Sequence, residues 1–325
     1  MKKLLALIMI LVMALGAFAS CSVPEDTAPI SVGYMAGPTG IGMAKLIHDN
    51  GGTDGNDKYE PFAKFTNSEL AANALISGAV DIACLPTSDA AKFYNEKNDG
   101  LRVLAINCLN TLSLISKNGV TINSIEDLEG MTVYTCEKGT PHSILEALLE
   151  EYGVNATLAY SIGDTALVTP ETLAPVIKKG LADVILAPTH LVANADTNNN
   201  YKIALDVNEL WNEKFDTPIA MGCVVTTQAF IDEHPQLVAK FLEEYEASIN
   251  YAADSDNLDN AAQYIVDATI LGNVNVAKKA LTDLGDGISY VDGSDMKNIL
   301  VGIYGIFDGV DIGNALPADK FYYGN

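Results

Sequence analysis

Arginine is nearly missing from this chain: Arg102 is the only one in 325 residues. A bidentate guanidinium clamp, the usual device for holding a carboxylate or phosphate, therefore has a single candidate. Cations are scarce altogether, with 19 lysines and arginines against 42 acids and a formal charge of −23. So acidic a surface repels phosphates and anionic headgroups, which argues against nucleic acid or anionic lipid as a partner. It leaves a small anionic ligand open, because that depends on the local field of a site. Past the N-terminal segment, no hydrophobic run reaches the roughly 20 residues that a membrane-spanning helix needs. Cysteine is sparse as well, and Cys84, Cys108, Cys136 and Cys223 match no CxxC or other zinc spacing. Each lies in an apolar, strand-like context and reads as a buried thiol. One or two disulfides stay open as an alternative. No metal and no cofactor is expected.

What the chain does have begins at its N-terminus. Met1-Lys2-Lys3 is basic, Leu4 to Ala17 is nearly all apolar, and Phe18-Ala19-Ser20 precedes Cys21. A basic start, an apolar core too short to span a bilayer and small residues before a cut describe a secretory signal. With Cys21 directly after the small residues, the segment resembles the bacterial lipoprotein signal, although Phe18 stands where Leu is commoner. The resemblance implies removal of residues 1–20, lipidation of Cys21 and an extracytoplasmic body anchored to the bacterial cell membrane. Two acyl chains would suffice for durable anchoring. Losing residues 1–20 removes two lysines and no acid, taking the formal charge from −23 to −25.

Residues 21–29 read as a tether. From Ile30 the chain alternates apolar runs with amphipathic segments and short turns. Strands are expected at Ile30 to Tyr34, Tyr59 to Phe65, Val80 to Leu85 and Leu101 to Cys108. Helices are expected at Ile41 to His48, Ser68 to Ser77 and Ala90 to Glu96. The alternation predicts α/β structure with a parallel sheet covered by helices. It restarts at Leu112 to Ser116, and a helix over Ser143 to Tyr152 and a strand over Leu181 to Ala187 follow. A long helical region from Gln228 to Ala253 is expected to break near His234-Pro235. About 305 residues after the signal exceed one typical core and make two lobes the default.

Two stretches repeat one phrase. Leu75-Ile76-Ser77-Gly78-Ala79-Val80-Asp81-Ile82 and Val176-Ile177-Lys178-Lys179-Gly180-Leu181-Ala182-Asp183-Val184 each run helix end, Gly, Asp, strand, and each leads to a Pro-Thr pair, Pro86-Thr87 and Pro188-Thr189. The phrase resembles one found in both lobes of type II solute-binding proteins of ABC importers. Ile122 to Val133 is similar to that family's I-x-x-x-x-D-L-x-G-x-x-V opening of the second lobe, and Phe230 to Leu242 to the helix after the return crossing. The nitrate, sulfonate and thiamine-precursor (NitT/TauT) branch is the nearest in pattern. The resemblance implies two Rossmann-like α/β lobes, residues 30–107 with 223–325 and residues 108–222, joined by a two-segment hinge. It also implies a small ligand held in the cleft, a permease with its ATPase as partners, and a monomer.

Ligands of open α/β sheets gather at the carboxyl ends of strands, near helix N-termini. That rule nominates Tyr34 and Met35 at the end of the first strand as an apolar or stacking wall. Thr39 and Gly40 follow in the Gly-rich turn Gly37-Pro38-Thr39-Gly40-Ile41-Gly42. The turn is neither a Walker A loop, which needs Gly-Lys-Ser/Thr, nor a dinucleotide fingerprint, which needs Gly where Lys45 stands. Thr87 and Ser88 hold the same position one unit later, with helix capping as an equally good reading of Ser88. In the second half Thr140, before Pro141, and His142 open a helix, and Thr189 with His190 mirrors Thr87 with Ser88. No catalytic residue is assigned, since no GxSxG elbow or HExxH helix is present. Asp81 and Asp183 read as structural residues at strand starts. Two alternatives to capture remain: lyase-type chemistry on the same scaffold, or a surface lipoprotein without a transport role.

Overall fold

β-Branched and apolar residues between turn signals form the strands, and the structure, a computed structural model, describes residues 26–97, 99–137, 139–196, 201–307 and 309–324. The signal segment, Cys21 and the first part of the tether lie outside the described residues. The strands are β1 (Val32–Met35), β2 (Ala63–Phe65), β3 (Ile82–Pro86), β4 (Leu101–Leu109), β5 (Leu112–Lys117) and β6 (Thr132–Tyr134). They continue as β7 (Thr157–Ala159), β8 (Ser161–Ile162), β9 (Thr165–Ala166), β10 (Val184–Pro188), β11 (Tyr201–Asp206) and β12 (Ala220–Thr227). One sheet has the order β2-β1-β3-β12-β4 and the other β11-β5-β10-β6-β7, with β8 and β9 as a separate hairpin. The fold is α/β with two sheets, each covered by helices.

The expectation of a parallel sheet needs a correction. β1 runs parallel to β2 and β3, but β12 inserts between β3 and β4 and is antiparallel to both. In the second sheet β6 is parallel to β7 and β10, whereas β5 is antiparallel to β10 and β11. The cause is long-range: the chain leaves the first sheet from β4, builds the second, and returns as β12 in the opposite sense. β3, β4 and β12 are buried on both faces apart from their ends, which is why they read as unbroken apolar runs.

The chain crosses between the sheets at Asn110-Thr111 and again at Ile219, and the crossings are tied to each other. The Asn110 amide donates to the Ile219 carbonyl at 2.8 Å, and the Ile219 amide donates to Asn110 Oδ1 at 3.0 Å. Asn110 adopts φ 53, a left-handed conformation that Asn tolerates better than most residues. At the strand starts, Asp81 acts as a brace. Its Oδ2 accepts from the Ser31 amide at 2.8 Å and from the Ser31 hydroxyl at 2.6 Å, pinning β3 to the entry of β1.

The helices depart from expectation mainly at their ends. The run expected from Ile41 to His48 is two short helices, Pro38–Ile41 and Ala44–Asp49. The long helical region breaks at His234, between Gln228–Glu233 and Pro235–Ala253. Leu237, Val238, Phe241, Tyr245, Ser248, Ile249 and Ala252 form the buried stripe of that second helix, at helical spacing, against β1, β3 and β4. Cys84, Cys108, Cys136 and Cys223 are buried thiols rather than disulfides. Burial pushes the Cys84 and Cys108 thiols up to about 12, so neither is a ready nucleophile. Among the described residues, no helix is long and apolar enough to cross a membrane.

Candidate functional site

The carboxyl ends of β1, β3 and β10 open into a cleft of about 510 Å³ walled by both sheets. β1 delivers Met35 to its wall, and the turn after it delivers Pro38 and Thr39. Gly37 makes that turn with φ +78, and a Cβ there would stand 2.9 Å from Cε1 of His190, across the cleft. The backbone and the His190 ring thus approach closely, and only glycine permits it. Asn107 fixes the turn from beneath, its side-chain amide donating to the Thr39 carbonyl at 3.0 Å and to the Tyr245 hydroxyl at 2.9 Å.

The second element of the first sheet supplies Pro86 and then Asp89, Lys92 and Phe93, at helical spacing on the helix Thr87–Glu96. Asp89 lies in the first turn, where a carboxylate meets the positive end of the helix dipole. Its partial burial raises its pKa, against the opposing effects of the Ser68 hydroxyl and the Lys92 ammonium; the nearby Asp311 carboxylate adds to the rise. From the second sheet come Thr140, Pro188 and His190, and from the crossing comes Thr111. His190 is 6% exposed, and burial holds its pKa down at about 4. The ring is therefore neutral at physiological pH.

Two polar atoms of this wall have no partner: Nδ1 of His190 and the hydroxyl of Thr111, a residue only 1% exposed. A buried polar group without a hydrogen bond costs about 1–3 kcal/mol, so these two residues carry polar capacity that the rest of the wall does not satisfy. Three contacts draw the two sides together. The Thr140 hydroxyl donates to Ser88 Oγ at 3.1 Å. The Gly139 amide donates to Asp311 Oδ1 at 3.4 Å, and the Ser143 hydroxyl donates to Asp311 Oδ2.

Of the residues nominated from sequence, Met35, Thr39, Thr140 and His190 line the cleft. The others are placed elsewhere. Tyr34 faces the opposite side of β1, where its hydroxyl donates to the Ala268 carbonyl at 2.9 Å within the core. Gly40 is packed against backbone, and a Cβ there would fall 1.9 Å from the Met35 carbonyl oxygen. Thr87 is fully buried and donates to the Ala220 carbonyl at 2.6 Å. Ser88 serves as acceptor for Thr140. Thr189 pairs with Ser113 through their hydroxyls at 3.2 Å. His142 lies beside Glu146, Nε2 to carboxylate 3.0 Å, with its ring edge-on to Tyr160. Sequence reasoning missed Asp89, Lys92, Phe93 and Thr111. Helical spacing from Thr87 leads to Ala90, Ala91 and Tyr94 on the buried face, whereas Asp89, Lys92 and Phe93 share the other face; Thr111 carries no local signal.

Arg102 lies away from this wall. Its guanidinium donates to Gln228 Oε1 at 2.8 Å, the Asp99 carbonyl at 2.8 Å and the Leu101 carbonyl at 2.7 Å. Among the described residues, no group of three or more His, Cys, Asp or Glu side chains could hold a metal ion.

Residues 62–257 match the family model described as NMT1/THI5 like. No curated protein matches the chain. Solved structures do. An ABC transporter protein from Parabacteroides distasonis superposes with a TM-score of 0.73 at 20% identity, covering 91% of this chain and 99% of that one. The alkanesulfonate-binding protein from Xanthomonas axonopodis pv. citri, bound to MOPS, gives 0.67 at 11% identity over 92% and 97%. The periplasmic nitrate-binding protein from Synechocystis gives 0.60 at 12% identity over 83% and 75%. At such identities the likeness is one of fold.

Proposed function

Since the chain belongs to the NMT1/THI5-like family, matched over residues 62–257, we propose that it is the substrate-binding component of an ABC importer. It captures a small organic solute between two lobes and delivers it to a permease. The observation that carries this reading is the cleft itself. It is walled by both sheets, about 510 Å³ in volume, and lined among others by Thr111 and His190, whose Oγ1 and Nδ1 atoms are buried and unpartnered. That volume suits a small molecule. The lobes are residues 30–109 with 220–325 and residues 112–218, a few residues from the boundaries at 107/108 and 222/223 expected from sequence, and hinged at the tied crossings around Asn110 and Ile219. Hinge closure around a solute is an established transition of two-lobed folds.

The same proposal places the protein outside the cytoplasm, lipidated at Cys21 and tethered to the membrane where a permease would receive its cargo. Structural neighbours named for sulfonate and nitrate binding support capture over lyase chemistry. Melting curves of residues 22–325 against sulfonates, nitrate, phosphonates, pyrimidines, flavins and nucleosides test the reading. A ligand at about a thousand times its dissociation constant adds roughly 4 kcal/mol, and a shift of several degrees confined to one solute class is expected. A flat panel, with no small molecule retained in native mass spectrometry, would sink it.

A further inference from the structure

The helix Thr140–Tyr152 begins without a cap of its own. Its N-cap is Gly139, which offers no side chain, and its first turn holds no acidic residue. The first amides of a helix have no partner within it, and its N-terminus carries partial positive charge, so such an end favours an anion. Here the anion comes from about 170 residues further along the chain, as the |i−j| of 172 between Gly139 and Asp311 records. Asp311 is buried; its Oδ1 accepts from the Gly139 amide at 3.4 Å and its Oδ2 from the Ser143 hydroxyl. Beside them the Thr140 hydroxyl donates to Ser88 Oγ at 3.1 Å. Ser88 and Asp311 both belong to the lobe facing this helix.

Asp311 is fastened to that lobe. It lies in the short helix Gly309–Ile312, and the turn after it is riveted to the helix Thr87–Glu96. The Asn95 side-chain amide donates to the carbonyls of Ile312 and Ala315, each at 2.6 Å. Gly313, at φ +76, lies so close that a Cβ there would stand 2.9 Å from that of Asn95. The riveted helix presents Asp89, Lys92 and Phe93 to the cleft, and the capped helix opens with Thr140 and Pro141 on the facing wall. One carboxylate therefore joins the two walls. With the walls together the helix end has its anion; with the walls apart the carboxylate, the Gly139 amide and the Ser143 hydroxyl return to water. Hydrogen bonds to an ionised acceptor are stronger than neutral ones, and a contact made in one of two states shifts their balance by its differential free energy.

We propose that Asp311 is a positioning residue, a helix cap supplied across the hinge, which sets the balance between open and closed cleft before any solute arrives. The proposal goes beyond solute capture and rests on that reading only for its two-lobed hinge. Losing the cap should raise the open-to-closed ratio by about tenfold, the worth of one charged hydrogen bond.

Spin labels read that balance without a ligand. In residues 22–325, Asn73→Cys on the helix Ser68–Ile76 and Lys178→Cys on the helix Pro170–Lys179 place labels at exposed positions on the two lobes. Both helices begin at the cleft, and Cys84, Cys108, Cys136 and Cys223 are buried away from the label. Double electron–electron resonance on the ligand-free protein should show mainly the short distance that the joined walls set. Asp311→Asn should move population to a longer distance, and Ser143→Ala should do so to a smaller extent. A merely structural role for Asp311 would lower the melting temperature and leave the distances unchanged. Asp311→Asn decides where it folds, and Ser143→Ala where it does not. A wild type already at the long distance, or a folded deciding variant with the wild-type distribution, would overturn the proposal. Either result leaves solute capture standing, because the melting panel tests it separately.

Discussion

Acid should destabilise this protein through one ring. His190 is buried in the cleft wall, and burial alone, with no charged partner acting on it, lowers its pKa from 6.5 to about 4. The unfolded chain takes up a proton near 6.5, whereas the fold takes it up only near 4. Between those values the unfolded state holds more protons, so stability falls as pH falls. Above that window His190 contributes no pH dependence, and below it the loss is complete. At 1.36 kcal/mol per pH unit, the full penalty is about 3 kcal/mol, most of it reached by about pH 4.5. A domain of this size loses roughly 2–4 °C in melting temperature per kcal/mol, so the penalty corresponds to a drop of several degrees. Many carboxylates titrate in the same range, and His190→Asn isolates the one group because its amide stays neutral throughout. Melting curves of wild type and variant, taken in steps from about pH 7.5 to pH 4.5, should converge or cross as the wild type loses more. Two curves that stay parallel would refute the claim that the ring is held neutral by burial.

Three further outcomes follow from the packing. Gly40→Ala sets a methyl 1.9 Å from the Met35 carbonyl oxygen, a backbone atom that cannot step aside cheaply. Urea unfolding should show a loss of about 1–3 kcal/mol or more, as for other overpacked sites. Ser88→Ala removes the acceptor of the 3.1 Å bond from Thr140 that joins the two sides of the cleft. Ligand affinity should weaken by roughly fivefold, the worth of about 1 kcal/mol, with only a small change in melting temperature. Arg102→Lys breaks at least part of a buried set of three hydrogen bonds. It should cost about 1–3 kcal/mol of stability and leave solute affinity unchanged; a large loss of affinity would put the guanidinium in the binding path.

The fold was legible in the sequence because its signals are local. The Gly-x-x-Asp phrase marks a strand start, and the structure shows why at Asp81, whose carboxylate takes both donors of Ser31. The site was legible only in part. Tyr34 and Met35 are adjacent in β1, and successive strand residues face opposite sides, so only Met35 reaches the cleft. At the start of the helix Thr87–Glu96 each residue turns by about 100°, which buries Thr87 against Ala220 and brings Asp89 to the wall. Neither the insertion of β12 between β3 and β4 nor the position of Thr111 has a local signature. Both depend on how the two sheets are joined.

That join also explains how a solute could drive closure. Thr111 belongs to the first crossing, His190 follows β10 of the second sheet, and Gly37, which the His190 ring touches, follows β1 of the first. The three hydrogen bonds across the cleft (Ser88 with Thr140, Asp311 with Gly139 and with Ser143) and the close approach of His190 to Gly37 bring the walls together. They leave Thr111 Oγ1 and His190 Nδ1 without partners. An empty cleft in this arrangement bears the cost of both buried groups, about 1–3 kcal/mol each, and an open one returns them to water. A solute that satisfies both atoms removes that cost only when the walls are together. On the capture reading its differential affinity for the closed form is thus at least partly the hydrogen bonding of these two atoms, and a ligand can shift a conformational equilibrium by no more than such a difference.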